Sequence, residues 1–188
     1  MLQLVEMLNR FYKWAEQFHD QGEQRFYGVL IRLVRQFYGH TSAAEFGPRK
    51  LRFLRYQMVR GDENAKPPRR PRSRKYINSQ VQRIRRMFKW AASQELVPVG
   101  VCRSLRIIES LRRGRSGARE NAKVGLVEQR LLDVTLPRLS RPVKALVDLW
   151  ILTGARPNEL PGLRGCDLEM DNETGIRLYR PGKHWTIC

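Results

Sequence analysis

Cysteine is scarce in this sequence, and its spacing excludes two common roles. The three cysteines, Cys102, Cys166 and Cys188, are far apart and odd in number, and neither a C-x-x-C motif nor a Cys/His cluster accompanies them. This pattern supports neither a disulfide framework nor a zinc site. We therefore expect free thiols in a cytoplasmic protein that holds no metal and no cofactor.

Long hydrophobic runs are also missing. No stretch approaches the ~20 consecutive apolar residues of a membrane-spanning helix. The N-terminus lacks the charged, apolar and small-residue regions of a signal peptide. We expect an intracellular soluble protein with no membrane partner.

Acidic residues are the third scarcity. The chain has 36 Lys and Arg residues against 18 Asp and Glu, a net charge of +18. Residues 1–120 hold 26 basic and 10 acidic side chains, whereas residues 121–188 hold 10 and 8. Such a charge indicates a polyanionic partner, and double-stranded DNA is the first candidate. A ribosomal or membrane-surface protein would have a similar charge.

Apolar residues recur at helical spacing through residues 1–111, which predicts a helical domain. Because most of the basic excess lies in it, this is the predicted DNA-binding domain. The predicted helices cover residues 2–19, the segment from about Phe26 to Gly39, the segment from Pro48 to Gly61, a fourth helix from Asn78, and the segment 101–111. Gln21-Gly22 is expected to separate the first two helices, and Asn78 to cap the fourth. The side chains predicted to face inward are Leu4, Leu8, Phe11, Tyr12, Ala15 and Phe18; Phe26, Val29, Leu30, Leu33, Val34 and Phe37; Leu51, Leu54, Met58 and Val59; and Val81, Ile84, Met87, Phe88, Ala91 and Ala92.

A basic segment runs from Lys66 to Lys89 with ten Lys and Arg residues and no acidic residue. Its first part is a proline-rich loop, and its second part lies on the fourth helix. Arginine donates paired hydrogen bonds to phosphate, and polar residues at a helix start can reach base edges. The alternative is a solvated helix face. The predicted DNA-binding residues are Arg69, Arg70, Arg72, Arg74, Lys75, Asn78, Gln82, Arg83, Arg85, Arg86 and Lys89. Phe88 and Trp90 are expected in the core rather than against bases.

The remainder of the chain has a different character. Residues 112–124 are expected to be a flexible basic linker, and residues 125–188 the opening of a mixed domain. Here we predict a helix from Val127 to Leu132, a helix capped by Ser140 and stopped by Gly154, a short helix in "RPNELPGLR", and a strand from Ile176 to Tyr179.

The phrase "LTGARPNEL", followed by "GLR" and "CDLE", resembles the first catalytic box of tyrosine recombinases, the phage-type integrases. The upstream phrases "GVLIRLVRQFYG", "EFGPRKL" and "RRMFKWAASQELVP" resemble the core-binding domain of a bacterial integrase-like subgroup. The resemblance covers about Tyr12 to Lys183. It implies a mainly α fold, with a SAM-like four-helix core-binding bundle followed by the N-terminal part of a mixed α+β catalytic domain.

The resemblance also implies a chemistry. These enzymes cut a DNA strand with a tyrosine, store the bond as a 3′-phosphotyrosyl link, and rejoin the strand without metal or ATP. Arg156 matches the first of the family's two arginines, and Glu159 the acidic residue that supports it. Trp185 stands where the family's lysine aligns. Lys183 is a candidate substitute, although two residues along a strand correspond to ~6–7 Å.

The family's second arginine box and its tyrosine nucleophile have no match among the 188 residues. The resemblance therefore implies a DNA-binding fragment of a recombinase that does not cleave DNA alone, nucleoid-associated and able to associate with itself or with a full-length recombinase on DNA. Two alternatives remain: a stand-alone regulator that occupies recombination sites, and a basic helical protein that binds no nucleic acid.

Overall fold

The computed structural model describes residues 2–62, 68–156, 158–170, 174–175 and 177–179. Over these residues the chain is mainly helical, with seven α-helices and one small antiparallel sheet. The mainly α fold expected from the sequence is thus confirmed. No described helix is both long and apolar enough to cross a bilayer. The chain divides into two compact units, Met1–Lys123 and Val124–Cys188.

The first unit consists of five α-helices. They are α1 (Leu4–Phe18), α2 (Gln21–Tyr38), α3 (Pro48–Arg60), α4 (Arg74–Ser93) and α5 (Val99–Arg106), with a short 3₁₀ helix (Ala43–Glu45) between α2 and α3.

Local capping residues explain where α2 and α3 begin and end. The Asp20 carboxylate accepts the backbone N–H of Glu23 at 2.8 Å, so α2 already begins at Gln21. The prediction that Gln21-Gly22 separates two helices is therefore wrong by about two residues. Pro48 occupies the first turn of α3, where its missing N–H costs nothing, and Gly61 ends the helix, both as predicted.

The start of α4 differs from the prediction by a full turn. Ser73 caps the helix by accepting the N–H of Tyr76 at 3.4 Å, and Asn78 lies inside the helix. The prediction of Asn78 as N-cap is wrong because the first turn is mainly charged and follows a proline-rich loop. In that turn only Ile77 shows apolar periodicity, which is too little to mark a helix.

The core of the first unit lies between α1, α2, α3 and α4. Its fully buried members include Leu4, Met7, Leu8 and Phe11 of α1, Tyr27, Leu30 and Val34 of α2, Leu51 and Leu54 of α3, and Ile77, Ile84, Met87 and Phe88 of α4. The predicted inner faces of α3 and α4 are confirmed. That of α2 is wrong in part, since Phe26 and Val29 are exposed while Tyr27 and Ile31 are buried, and Phe18 of α1 is also exposed.

Aromatic contacts connect these helices. The ring of Phe11 lies 4.9 Å from that of Tyr27 and 5.4 Å from that of Trp90, while Phe46 stacks on Phe88 at 4.8 Å. Phe88 and Trp90 are therefore core residues, as predicted.

Residues 111–120 lie along the beginning of α4. The backbone N–H of Arg74 donates to the carbonyl of Arg119 at 2.9 Å, and its side chain forms a 2.6 Å ion pair with Glu120. The hydrogen bond from Arg74 holds the pKa of Glu120 below its ordinary value. The segment expected to be a flexible linker is thus bound to the first unit over part of its length.

The second unit contains α6 (Gln129–Thr135), a 3₁₀ helix (Leu136–Arg138), α7 (Arg141–Thr153), a 3₁₀ helix (Gly165–Asp167) and the strands β1 (Leu168–Met170) and β2 (Arg177–Tyr179). The strands are antiparallel, with Leu168 opposite Tyr179. Gly154 ends α7 in the left-handed region with φ of 63°, as predicted. The predicted helix in "RPNELPGLR" is wrong, because residues 158–162 form turns; Pro157 lies outside the described residues.

Candidate nucleic-acid interface

A concave basic surface lies between α4 and α5 of the first unit. Its volume is about 360 Å³. Four of the residues that line it are on α4 and two on α5; we call it the α4–α5 groove, and its lining residues are Gln82, Arg85, Arg86, Lys89, Cys102 and Arg106. Four of these six side chains are cationic and none is acidic. All four from α4 belong to the predicted DNA-binding set.

The groove continues as a polar stripe along α4. Lys75, Gln82, Arg86 and Lys89 are exposed and recur at intervals of seven, four and three residues, which places them on one side of the helix. At a rise of about 1.5 Å per residue, the stripe is about 21 Å long. Phosphates of one DNA strand lie several ångströms apart, so a stripe of this length can meet several of them.

Arg86 presents an accessible guanidinium in the groove. Its side chain is 65% exposed, and the Glu23 carboxylate is 3.4 Å away. Burial raises the pKa of the Tyr27 phenol, and the nearby Arg86 guanidinium acts in the opposite direction. The guanidinium of Arg86 thus has one acidic neighbour, while much of the side chain remains open to solvent.

Arg106 is a groove residue that lies outside the set predicted from the sequence. It is exposed on the last turn of α5, and Arg103 is exposed one turn earlier. The signal available in the sequence is a pair of arginines spaced by three on a short helix. Arg106 becomes part of a site only because α5 packs against α4 in the folded chain.

Arg83 faces away from the groove and holds α4 against α2. Its guanidinium binds both oxygens of Glu23, at 3.2 and 2.8 Å, and donates to the Ser79 hydroxyl at 2.7 Å. It also lies 4.4 Å from the ring centre of Phe26. Only 12% of the side chain is exposed, so its hydrogen-bonding capacity is used inside the fold.

Arg85 lines the groove but is directed to the end of α5. Its Nε donates to the carbonyl of Leu105 at 3.1 Å, and its Nη2 donates to the carbonyl of Ile108. Leu105 is in the last turn of α5, where carbonyls lack helical N–H partners, and Ile108 lies two residues beyond the helix. Arg85 thus acts as a side-chain cap for α5.

Asn78 and Arg74 bind the segment after α5. The Asn78 amide donates to the carbonyl of Leu111 at 3.1 Å and accepts the N–H of the same residue at 2.8 Å. Arg74 pairs with Glu120 and is 17% exposed. Both predicted DNA-binding side chains have intramolecular partners.

In the basic loop, too, some arginines have partners inside the fold and others are exposed to solvent. Arg69 pairs with Asp62 at 2.6 Å, also contacts Gln36, and lies 5.5 Å from the ring centre of Phe37. Arg70 and Arg72 are exposed, and Arg72 covers the ring of Tyr76 at 5.4 Å. Of the predicted DNA-binding set, the side chains that face solvent are Arg70, Arg72, Lys75, Gln82, Arg86 and Lys89.

In the second unit, Arg156 and Glu159 form a compact turn. The Glu159 carboxylate accepts the backbone N–H of Arg156 at 2.8 Å and lies 3.6 Å from its guanidinium. The Arg156 side chain is 72% exposed, and the hydroxyl of Tyr179 on β2 donates to the Glu159 carbonyl at 3.2 Å. The structure thus brings together two of the three predicted catalytic residues. The third, Lys183, lies outside the described residues.

No group of three or more His, Cys, Asp or Glu side chains within the described part of the chain could hold a metal ion. Comparisons with protein-family models, with curated proteins and with solved structures found no match to this chain.

Proposed function

We propose that this chain binds double-stranded DNA through the α4–α5 groove, as a DNA-binding part of a tyrosine-recombinase-type protein. The groove carries the proposal, because its lining combines cations from two neighbouring helices with no acidic residue among them. Phosphate contacts of this kind supply most of the affinity of non-specific DNA binding. The exposed Gln82 adds a side chain that can hydrogen-bond a base edge.

The binding is tested by fluorescence anisotropy with labelled duplex DNA over a range of salt concentrations. We expect affinity to fall steeply with salt, because each neutralised phosphate contributes about 0.9 to the slope of log K against log salt. The triple variant Arg86→Ala, Lys89→Ala, Arg106→Ala should make that slope shallower by about 3.

The matched control removes the same charge from another surface. Arg25, Arg32 and Arg35 are exposed on α2, and their replacement by alanine also lowers the net charge by three. Equal losses in the two triple variants would contradict a groove-specific site and leave only diffuse electrostatic attraction. DNA binding that does not depend on salt would contradict the proposal altogether.

Cys102 allows a measurement at a single position, because it lines the groove and is partly exposed. Its alkylation rate can be followed by peptide mass spectrometry. Bound duplex should slow alkylation of Cys102 in the wild-type chain but not in the groove variant. Unchanged alkylation at saturating DNA would place the DNA elsewhere.

We propose further that Arg156 and Glu159 are the first catalytic arginine and its supporting carboxylate. In support, Gly154 permits the turn after α7, and the carboxylate fixes the backbone of Arg156 while the guanidinium stays exposed. The 188 residues contain no second arginine box and no matching tyrosine box. Incubation of the chain with a nicked suicide substrate should therefore give no covalent adduct; a phosphotyrosyl adduct would show that another tyrosine acts as nucleophile.

A further inference from the structure

A second basic cavity lies between α3 and the segment that follows α5. Its volume is about 490 Å³. Ile107, which lines it, directly follows Arg106 of the α4–α5 groove in the sequence. Arg52 and Arg55 reach it from α3, and Arg112 and Arg115 from the segment. We call it the arginine pocket. Glu109 is the one acidic residue among those that line it in the described part of the chain.

A tight turn brings two of the four arginines together. The N–H of Arg115 donates to the carbonyl of Arg112 at 3.3 Å, and Gly114 has φ of 69°. Glycine at the third position of a β-turn permits this backbone, and the first and fourth residues then lie within about 7 Å of each other. The sequence "RRGR" thus places Arg112 and Arg115 at the two ends of one turn.

Arg52 and Arg55 are one helical turn apart on α3 and share a face. Arg55 donates to the carbonyl of Glu109 at 2.8 Å. Burial, together with the positive charges of Arg52 and Arg85, lowers the pKa of Arg55. Arg52 and Arg85 are thus close enough to add to the positive charge around Arg55.

Neighbouring negative groups do little to offset this charge. Arg85 donates to the carbonyls at the end of α5, which would otherwise present partial negative charge nearby. Glu109 lies 3.2 Å from Arg112, but these side chains are 78% and 70% exposed. Pairs of such exposure contribute little stability and are easily exchanged for another anion.

We propose that the arginine pocket binds a phosphate group. Guanidinium groups donate parallel hydrogen bonds that match phosphate oxygens, and the hydroxyl-bearing residues Ser110 and Ser116 line the same cavity. The phosphate comes either from a DNA backbone beside the α4–α5 groove or from a free phosphate compound. If the phosphate belongs to a DNA backbone, the inference rests on the proposed function. If it belongs to a free phosphate compound, the inference is independent of that function.

The experiment compares two double variants from the same segment. Arg112→Ala with Arg115→Ala removes two pocket arginines. Arg113→Ala with Arg119→Ala removes two exposed arginines that do not line the pocket, and so serves as the control. Circular dichroism melting verifies that both variants remain folded.

The first arm measures binding of pyrophosphate by titration calorimetry, and the second measures duplex binding against salt. If the source is free phosphate, the pocket variant should weaken pyrophosphate binding about tenfold or more while the control does not. If the source is DNA, the pocket variant should make the salt slope shallower by about 1 while the control changes it less.

Failure of this inference is distinguishable from failure of the proposed function. If the groove variant loses DNA affinity but the pocket variant matches the control in both arms, the arginine pocket is not a phosphate site. If wild-type chain binds pyrophosphate through the pocket but binds no DNA, the pocket inference stands and the proposed function falls.

Discussion

Gly61 shows how one residue fixes the path of the basic loop. It ends α3 with φ of 72°, and a Cβ there would lie 2.5 Å from the carbonyl oxygen of Arg69 and 2.8 Å from the nitrogen of Pro71. The carbonyl of Arg69 cannot withdraw freely, because it accepts the N–H of Asp62 at 2.7 Å. The chain after the loop therefore passes directly over the end of α3.

Gly61→Ala should lower the free energy of unfolding by about 1–3 kcal/mol, from backbone strain and the close contact together. Gly47→Ala is the control, since Gly47 has φ of −113° and a methyl group added there would meet no atom within 4 Å. Urea denaturation followed by circular dichroism measures both. Equal effects of the two substitutions would contradict the close passage of residues 69–71.

Gln80 is a polar residue on the inner face of α4. It is 1% exposed, and neither amide atom has a hydrogen-bond partner among the described residues. A buried amide without partners costs about 1–3 kcal/mol, so Gln80→Met, similar in length and apolar, should raise the free energy of unfolding by that order. Gln82→Met, on the exposed face, should change stability little. Urea denaturation measures both, and a loss of stability in Gln80→Met would mean that the amide is satisfied in solution.

At the scale of the element, α4 has two basic faces with different roles. Arg86 and Lys89 face the groove, whereas Arg83 binds Glu23 and Phe26 of α2. Arg83→Lys keeps the charge but loses the paired hydrogen bonds, so we expect the free energy of unfolding to fall by about 1–3 kcal/mol. Arg86→Lys, more exposed, should stay within about 0.5 kcal/mol. Thermal melts measure both; equal stabilities would contradict a structural role for Arg83.

Helix positions can be predicted from periodicity where one face is clearly polar. The prediction for the inner face of α4 is correct because arginines separate its apolar residues. On α2 the neighbouring residues Phe26 and Tyr27, and the run from Val29 to Ile31, widen the apolar face beyond a single stripe. Periodicity cannot choose between them, and the choice depends on Arg83 covering Phe26 and on the ring of Phe11 meeting that of Tyr27.

The sequence locates the candidate site, but it does not show which of its arginines are available to a ligand and which have partners inside the fold. Charge density points to the Lys66–Lys89 segment, and the groove uses four residues from it. Which arginines remain available depends on partners distant in sequence, such as Glu23 for Arg83 and Glu120 for Arg74. The contribution of α5 depends on its tertiary position against α4 and has no local signal beyond two spaced arginines.

At the scale of the whole molecule, the two units differ in how much they bury. The first contains a continuous core, whereas Leu160 is the one buried hydrophobic residue among the described side chains of the second. On α7, Val143, Leu149, Ile151 and Leu152 are exposed. Burial of apolar surface is the main source of stability, so the second unit should open far more readily than the first.

Limited trypsin digestion tests this difference. Cleavage after Lys123 and Arg130 should come first, because Val124 and Leu126 are fully exposed and Arg130 is itself exposed. Cleavage between Arg112 and Arg119 should come later, because Arg74 binds Arg119 and Glu120. Intact-mass spectrometry gives the order of cleavage. Arg74→Ala should accelerate cleavage at 112–119, whereas Arg10→Ala, which breaks a surface pair with Glu6, should not. Equal persistence of residues 124–188 and 1–123 would contradict the argument, because it would require a core in the second unit that its exposed helix faces do not provide.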